Sequence, residues 1–374
     1  MNIKSLLIGS AAALAAVSGA QAADAIVAAE PEPMEYVRVC DAFGSGFFYI
    51  PGTETCLKIG GFVRFQTSFG SDIGGATTNG AFNPVTGAFA TNGPHSSWDA
   101  FTRANVSLDA RTDTELGTLR SMIVLQADSD HEGSNGNFGV DEAFIELGGF
   151  KAGYFYSWWD SGINGETDTL GNQTRFNSIA YTYDGGTWRA GLSLDEIEAA
   201  EYVKNSAHPT AGSNFNHNNL GIAGTVGFSL GGVNLDVLGG YDNAVGEGAI
   251  RAILSAEVGP GTAQLAAIWA SDPNAYWEAS EWSVAASYAF KATEKLTITP
   301  GAQYFGDLAN AGKVKGTPTY GFGRNDQWTV GVTVGYQIVD GLDFLGTVNY
   351  NKVKVAAGPD TDFTSGFLRL QRNF

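Results

Sequence analysis

The sequence predicts an all-β chain, a sixteen-stranded antiparallel transmembrane β-barrel with long extracellular loops and short periplasmic turns. Three observations carry this. Segment after segment alternates apolar and polar residues with a period of two, the signature of a strand with one greasy and one wet face. The connections between these segments alternate between short and long. The chain opens on an export signal, and no later stretch stays apolar for eighteen residues, so a membrane would have to be crossed by strands.

The opening segment has Lys4, an apolar run from Leu6 to Val17, and Ala20-Gln21-Ala22. This predicts a cleaved signal peptide over 1–22. The apolar run is too short to span a bilayer, and small residues follow it. Residues 23–55 are polar and Pro-marked and are read as a periplasmic-side segment, with the barrel at 56–374. Cys40 and Cys56 are the only cysteines. In an exported chain they predict a structural disulfide, worth on the order of 3 kcal/mol for a loop of about 16 residues.

The first strand, 57–69, sends Ile59, Val63, Phe65 and Phe69 to one face and Lys58, Arg64, Gln66 and Ser68 to the other. The second, 98–110, sets Ala104, Val106 and Leu108 against Arg103, Asn105 and Asp109. The third, 117–128, sets Leu119, Ile123 and Leu125 against Arg120, Gln126 and Asp128. Further strands are predicted at 138–148, 151–157, 174–184, 187–196, 218–230, 233–242, 249–258, 262–271, 280–291, 295–306, 326–339, 342–355 and 363–374. The last sends Leu368, Leu370, Arg372 and Phe374 outward, and Phe367, Arg369, Gln371 and Asn373 inward. An even count returns both ends to the periplasmic rim. Short turns such as 148–150 and 184–187 carry hairpin signals, and 70–97, 129–137, 158–173 and 197–217 are among the long connections. Trp158, Trp159, Trp269, Tyr276, Trp277, Trp282 and Trp328 near strand ends predict aromatic girdles at the two membrane interfaces.

Composition narrows the function. Gly numbers 50, and 12% of residues are aromatic against 16% charged. The formal charge is −18, from 21 Lys+Arg against 39 Asp+Glu, which removes a nucleic-acid partner. Acids lining a pore would favour cations. The histidines His95, His131, His208 and His217 all fall in predicted loops, and no nucleophile–base spacing accompanies them. His208 and His217 with nearby acids form a weak metal reading, outweighed by ordinary loop solvation. No P-loop, dinucleotide fingerprint or zincin motif is present. No cofactor and no metal are expected.

The stretch CDAFGSGFFYIPGTETCLKIGGFVRFQ (40–66), with its paired cysteines, and the terminal QRNF resemble the porins of alphaproteobacterial outer membranes, of the Brucella and rhizobial type. The resemblance implies a trimeric general diffusion porin whose third loop folds into the lumen and narrows it. That loop is 158–173 here, with Asp160, Glu166 and Asp168 and no base. Similar porins set such acids against inward basic residues, so a transverse field crosses the constriction. On alternation the basic side is expected at Arg64, Arg103, Arg120, Arg175 and Arg369.

The expected function is passive diffusion of small hydrophilic solutes and ions through a homotrimer in outer-membrane lipid and lipopolysaccharide, with mild cation preference. An adhesin acting through loops 70–97 and 197–217, or a barrel enzyme, are the competing classes.

Overall fold

In a computed structural model, residues 38–70, 82–83, 88–89, 98–129, 138–197, 219–314 and 317–374 are described. The expected signal peptide, most of loops 70–97 and 197–217, and all four histidines lie outside them.

Sixteen long strands form the wall. They are β1 (Cys56–Gly70), β2 (Trp98–Thr114), β3 (Gly117–Ser129), β4 (Gly139–Leu147), β5 (Phe150–Tyr156), β6 (Arg175–Asp184), β7 (Trp188–Ile197) and β8 (Asn219–Leu230). The second half comprises β9 (Val233–Asp242), β10 (Glu247–Val258), β11 (Gly261–Ala270), β12 (Ser280–Lys291), β13 (Leu296–Val314), β14 (Asp326–Val339), β15 (Leu342–Lys354) and β16 (Thr361–Asn373). Every strand pairs antiparallel with its neighbours in sequence, and β16 returns to pair with β1, so the barrel closes. Closure leaves no unpaired edge, the condition for a sheet to sit in lipid. Phe374 completes the seam: its N–H donates to the Gly61 carbonyl at 3.1 Å and its carbonyl accepts from Gly61 N–H at 3.2 Å.

The alternation written in the sequence is the alternation of the wall. Ile59, Val63, Phe65, Ile250, Leu265, Leu368 and Leu370 stand on the outer face, while Gln66, Asn105, Thr329 and Asn349 line the inside. Short turns gather on one rim. The Gly231–Gly232 pair, φ 58° and 94°, makes the left-handed two-residue turn that a twisted hairpin requires.

Two attachments add to the wall. Cys40 and Cys56 form the expected disulfide, and Phe48–Tyr49 pairs back onto the start of β1. Phe47 packs beside the bridge, with Lys58 and Arg111 of the inner wall over its ring. At the opposite rim, Thr317–Phe322 folds against the extended end of β13.

The aromatic girdle needs correction. Trp269 and Trp282 face outward as a cross-strand pair, and Trp328 packs on outward Tyr350. Trp159, Tyr276 and Trp277 instead lie inside, at most 1% exposed, with Trp158 packed against the same cluster. They anchor loops that fold into the lumen, where an apolar ring gains more from burial than at a wet interface.

Candidate pore constriction

The third long connection, 157–174, enters the lumen. Ser157 caps a short 3-10 turn at Trp158–Asp160, its hydroxyl accepting from Trp159 N–H. The chain then runs along the inner wall from β10 towards β16. Arg251 of β10, fully buried, donates to the carbonyls of Trp158 at 2.9 Å, Trp159 at 3.1 Å and Leu170. Gln264 of β11 accepts from Asn164 N–H at 2.6 Å. Gln303 of β13 grips the Thr169 peptide at both ends, accepting its N–H at 2.7 Å and donating to its carbonyl at 2.6 Å. Thr333 of β14 accepts from Glu166 N–H at 2.9 Å. Asn349 of β15 accepts from the Thr167 hydroxyl and donates to the Glu166 carbonyl, both at 2.9 Å.

These are neutral amides and hydroxyls acting as substitute strand partners. A loop inside a wet barrel must satisfy its backbone somewhere, and the wall supplies the donors and acceptors. Gly165 lies close against β13 and β14. Its φ of 94° suits glycine, and an added Cβ would sit 3.1 Å from Thr299 Cγ2.

On the opposite wall Arg64, Arg103 and Arg369 point inward. Arg64 and Arg103 are direct Cα partners across β1 and β2. Arg64 donates to Gln371 at 2.7 Å, and Arg103 forks onto Asp128 at 2.6 and 2.7 Å. Arg369 of β16 donates to Gln66 at 2.8 Å and lies 3.6 Å from the Glu166 carboxylate. Each guanidinium rests near the phenylalanine two residues before it: Phe62, Phe101 and Phe367, at 4.8, 5.4 and 4.4 Å from the ring centroids. Alternate residues share a face, so Phe-x-Arg places ring and cation together, which stiffens a flexible side chain.

The other expected residues divide. Asp160 is exposed near the loop's root. Asp168 turns back on its own loop, accepting from Ile163 N–H at 3.4 Å, and burial pushes its carboxyl up to about 6. Arg120 faces the lumen but is held by Asp109 at 3.0 Å and Glu146 at 3.3 Å, in a cluster with Arg111 rather than with the loop. Arg175 was expected inward and is not. It is the Cα partner of Tyr156 and shares its face with half-exposed Ile179, Tyr181 and Tyr183, while neighbouring Phe176 is the residue that points in. It ion-pairs with Asp141 and lies over Tyr154 and Tyr156. Strand β6 begins at Arg175, one residue later than expected, and Phe176, Ser178 and Ala180 carry its inner face, one residue out of phase with the expectation.

The sequence reading missed Arg251 and the Gln264, Gln303, Thr333 and Asn349 row. A lone inward arginine between Ala249 and Ile253 was the available signal for the first.

A profile of the family described as "Porin subfamily" matches residues 24–365. The chain belongs to the porin family. It is 52% identical over 377 residues to protein y4fJ of Sinorhizobium fredii, covering 100% of this chain and 99% of that one. It is 33% identical over 409 residues to porin Omp2b of Brucella suis biovar 1, covering 100% of both. Among solved structures, the outer membrane channel DcaP of Acinetobacter baumannii superposes with TM-score 0.63 at 14% identity, covering 87% of this chain and 99% of that one. OmpT of Vibrio cholerae in its trimer form gives TM-score 0.56 at 10% identity, covering 86% and 100%. This porin is therefore an outer-membrane channel and not an enzyme. Its rim of short turns is the periplasmic one.

Proposed function

We propose that the inserted loop and the Arg64–Arg103–Arg369 face form the selectivity constriction of a general diffusion pore. Small hydrophilic solutes cross it passively, screened by width and by a field running from the arginines to Glu166. The observation that carries this is the loop's attachment. Its backbone is bound to β10, β11, β13, β14 and β15 by eight hydrogen bonds from wall side chains, so it stays folded inward while Glu166 faces Arg369. A narrow, water-filled passage with opposed charges on its two sides discriminates by size and dipole.

The acid excess of 39 over 21 supports a mild cation preference, and the three arginines at the narrowing keep it mild. The assembly is a homotrimer in lipopolysaccharide-containing outer-membrane lipid, a reading supported by the trimer form of a structural neighbour. Single-channel recording in a planar bilayer under a salt gradient tests all of this. Conductance steps in threes with a cation-favouring reversal potential are expected. Folded protein that gives no steps would sink the pore reading, and an anion-favouring potential would sink the preference.

A further inference from the structure

The inserted loop does not lean on the wall alone. A second connection, 271–279 between β11 and β12, also folds inside, and Asn274, Ala275, Tyr276 and Trp277 are at most 1% exposed. Two backbone bonds join the loops, from Asn172 N–H to the Tyr276 carbonyl and from Gln173 N–H to the Ala275 carbonyl, both 3.0 Å. Tyr276 stands between the inner wall and the root of the inserted loop. One side of its ring meets Trp159 and Phe176, with centroids at 5.8 and 5.5 Å.

The wall is hollowed to receive it. A Cβ built on Gly240 of β9 would fall 2.5 Å from the Tyr276 ring, and one on Gly221 of β8 would collide with its hydroxyl. That hydroxyl donates to Asp195 of β7 at 2.7 Å, and Ser178 and Ser193 complete the carboxylate's partners at 2.6 and 3.2 Å. Asp242, also fully buried, accepts from Ala275 N–H at 2.9 Å and from Ala244 N–H at 2.8 Å. Asn274 folds back to accept from the N–H groups of Tyr276 and Trp277, both at 3.1 Å. Trp277 stacks on Phe305 of β13, with planes 4° apart. Two buried carboxylates held only by hydroxyl and N–H donors are costly unless every donor stays in place, so the wedge is fixed in position.

We propose that segment 271–279, through Tyr276, is a strut that sets how far the inserted loop projects into the lumen, and so fixes pore width and solute cutoff. Tyr276 and Asp195 are positioning residues: they touch no permeating solute and act through the loop's root. This rests on the reading of the inserted loop as the constriction.

The test compares four variants of the protein in planar bilayers and in liposome swelling with sugars of increasing size. Tyr276→Ala is expected to raise single-channel conductance about twofold and to admit larger sugars, because the passage area grows as the loop's root relaxes toward the wall. Reversal potential should move little, since no lumenal charge is altered. Tyr276→Phe keeps the ring and loses only the Asp195 bond, so it should restore most of the wild-type cutoff. A heat-modifiable, folded Tyr276→Ala with wild-type conductance and cutoff overturns the strut. Should that variant not fold, the milder truncation Tyr276→Leu carries the test, and wild-type conductance and cutoff in it overturn the strut equally. Deleting residues 163–169 separates the two readings. If the deletion widens the pore and Tyr276→Ala does not, only the strut fails; if the deletion changes nothing, the constriction itself is elsewhere.

Discussion

The lumen has two unlike walls. From β10 to β15 the inner face is lined by Gln264, Gln303, Thr333 and Asn349, neutral groups whose hydrogen bonds go to a loop backbone. On β16, β1 and β2 it carries Arg369, Arg64 and Arg103, cations stacked on phenylalanines, and among the described residues no loop backbone bonds to them. Both walls obey the same alternation, yet one holds backbone and the other holds field. Neutral amides suit the first task because a peptide needs a donor and an acceptor at fixed spacing, which Gln303 provides in one side chain. Cations suit the second because a charge beside water projects a field, although Asp128 offsets part of that of Arg103.

Arg251 is the exception that tests this division, a cation on the loop-bearing wall. It is used chiefly as a fork of N–H donors, since its hydrogen bonds go to carbonyls, with the Trp159 ring centroid 5.1 Å from the guanidinium. Arg251→Met should therefore leave three carbonyls without donors, at about 1–3 kcal/mol each, and release the loop's root. The expected result is the largest change of any point substitution here: a folded barrel with higher, noisier conductance. A quiet channel of wild-type conductance would mean that the amide row alone holds the loop.

Charge changes on the bare wall should act differently, altering selectivity more than width. Replacing Arg64, Arg103 and Arg369 by Gln is expected to move the permeability ratio several-fold towards cations, and Glu166→Gln to move it the other way. Reversal potentials read both. Equal shifts of the same sign would show that the transverse field is not what selects.

How much of this could be read from the chain depends on the range of the signal. Strand identity is local, since each residue's face follows from its neighbours two positions away, and all sixteen wall segments were legible, though β13 runs eight residues beyond the expected 295–306. Glu166 and Arg369 were legible as candidates because loop membership and inward parity are local too. What Trp159 and Tyr276 do was not legible. A tryptophan at a strand end has the same sequence context whether it faces lipid headgroups or the inside, and only the inward course of two loops decides. Arg175 failed for a related reason: alternation cannot be phased from the short RFNSIAY run when its flank is an irregular loop. Phe-x-Arg at 62–64, 101–103 and 367–369 was a local signal and went unread.

Titration gives a smaller effect. Asp168 lies at the loop's inner edge, and burial raises its carboxyl from the usual 3.8 to about 6. For an acid with a raised value, the ionised form opposes docking. The penalty is present above about pH 6 and is relieved as pH falls from there towards 4. The loop should thus be held more firmly at pH 5 than at pH 7, with less open-channel noise and a slightly weaker cation preference. Asp168→Asn should show the quiet behaviour at both values. A pH-independent wild type, or an unchanged pH response in the variant, would assign any titration to another group.

The smallest expected effect lies furthest from the constriction. The Cys40–Cys56 bridge closes a segment that rests on Lys58 and Arg111 at the periplasmic end of the bare wall. A cross-link over a separation of 16 residues is worth about 3 kcal/mol to the unfolded-chain entropy, but that stabilisation acts on the segment and the start of β1. Barrel closure depends instead on the β1–β16 ladder from Phe62 to Gly70, which begins beyond the bridge. Cys40→Ser with Cys56→Ser should therefore lower the heat-modifiability transition modestly and leave conductance and reversal potential as they are. A change in selectivity would mean that the segment reaches the permeation path, and that the bare wall is gated at its periplasmic end.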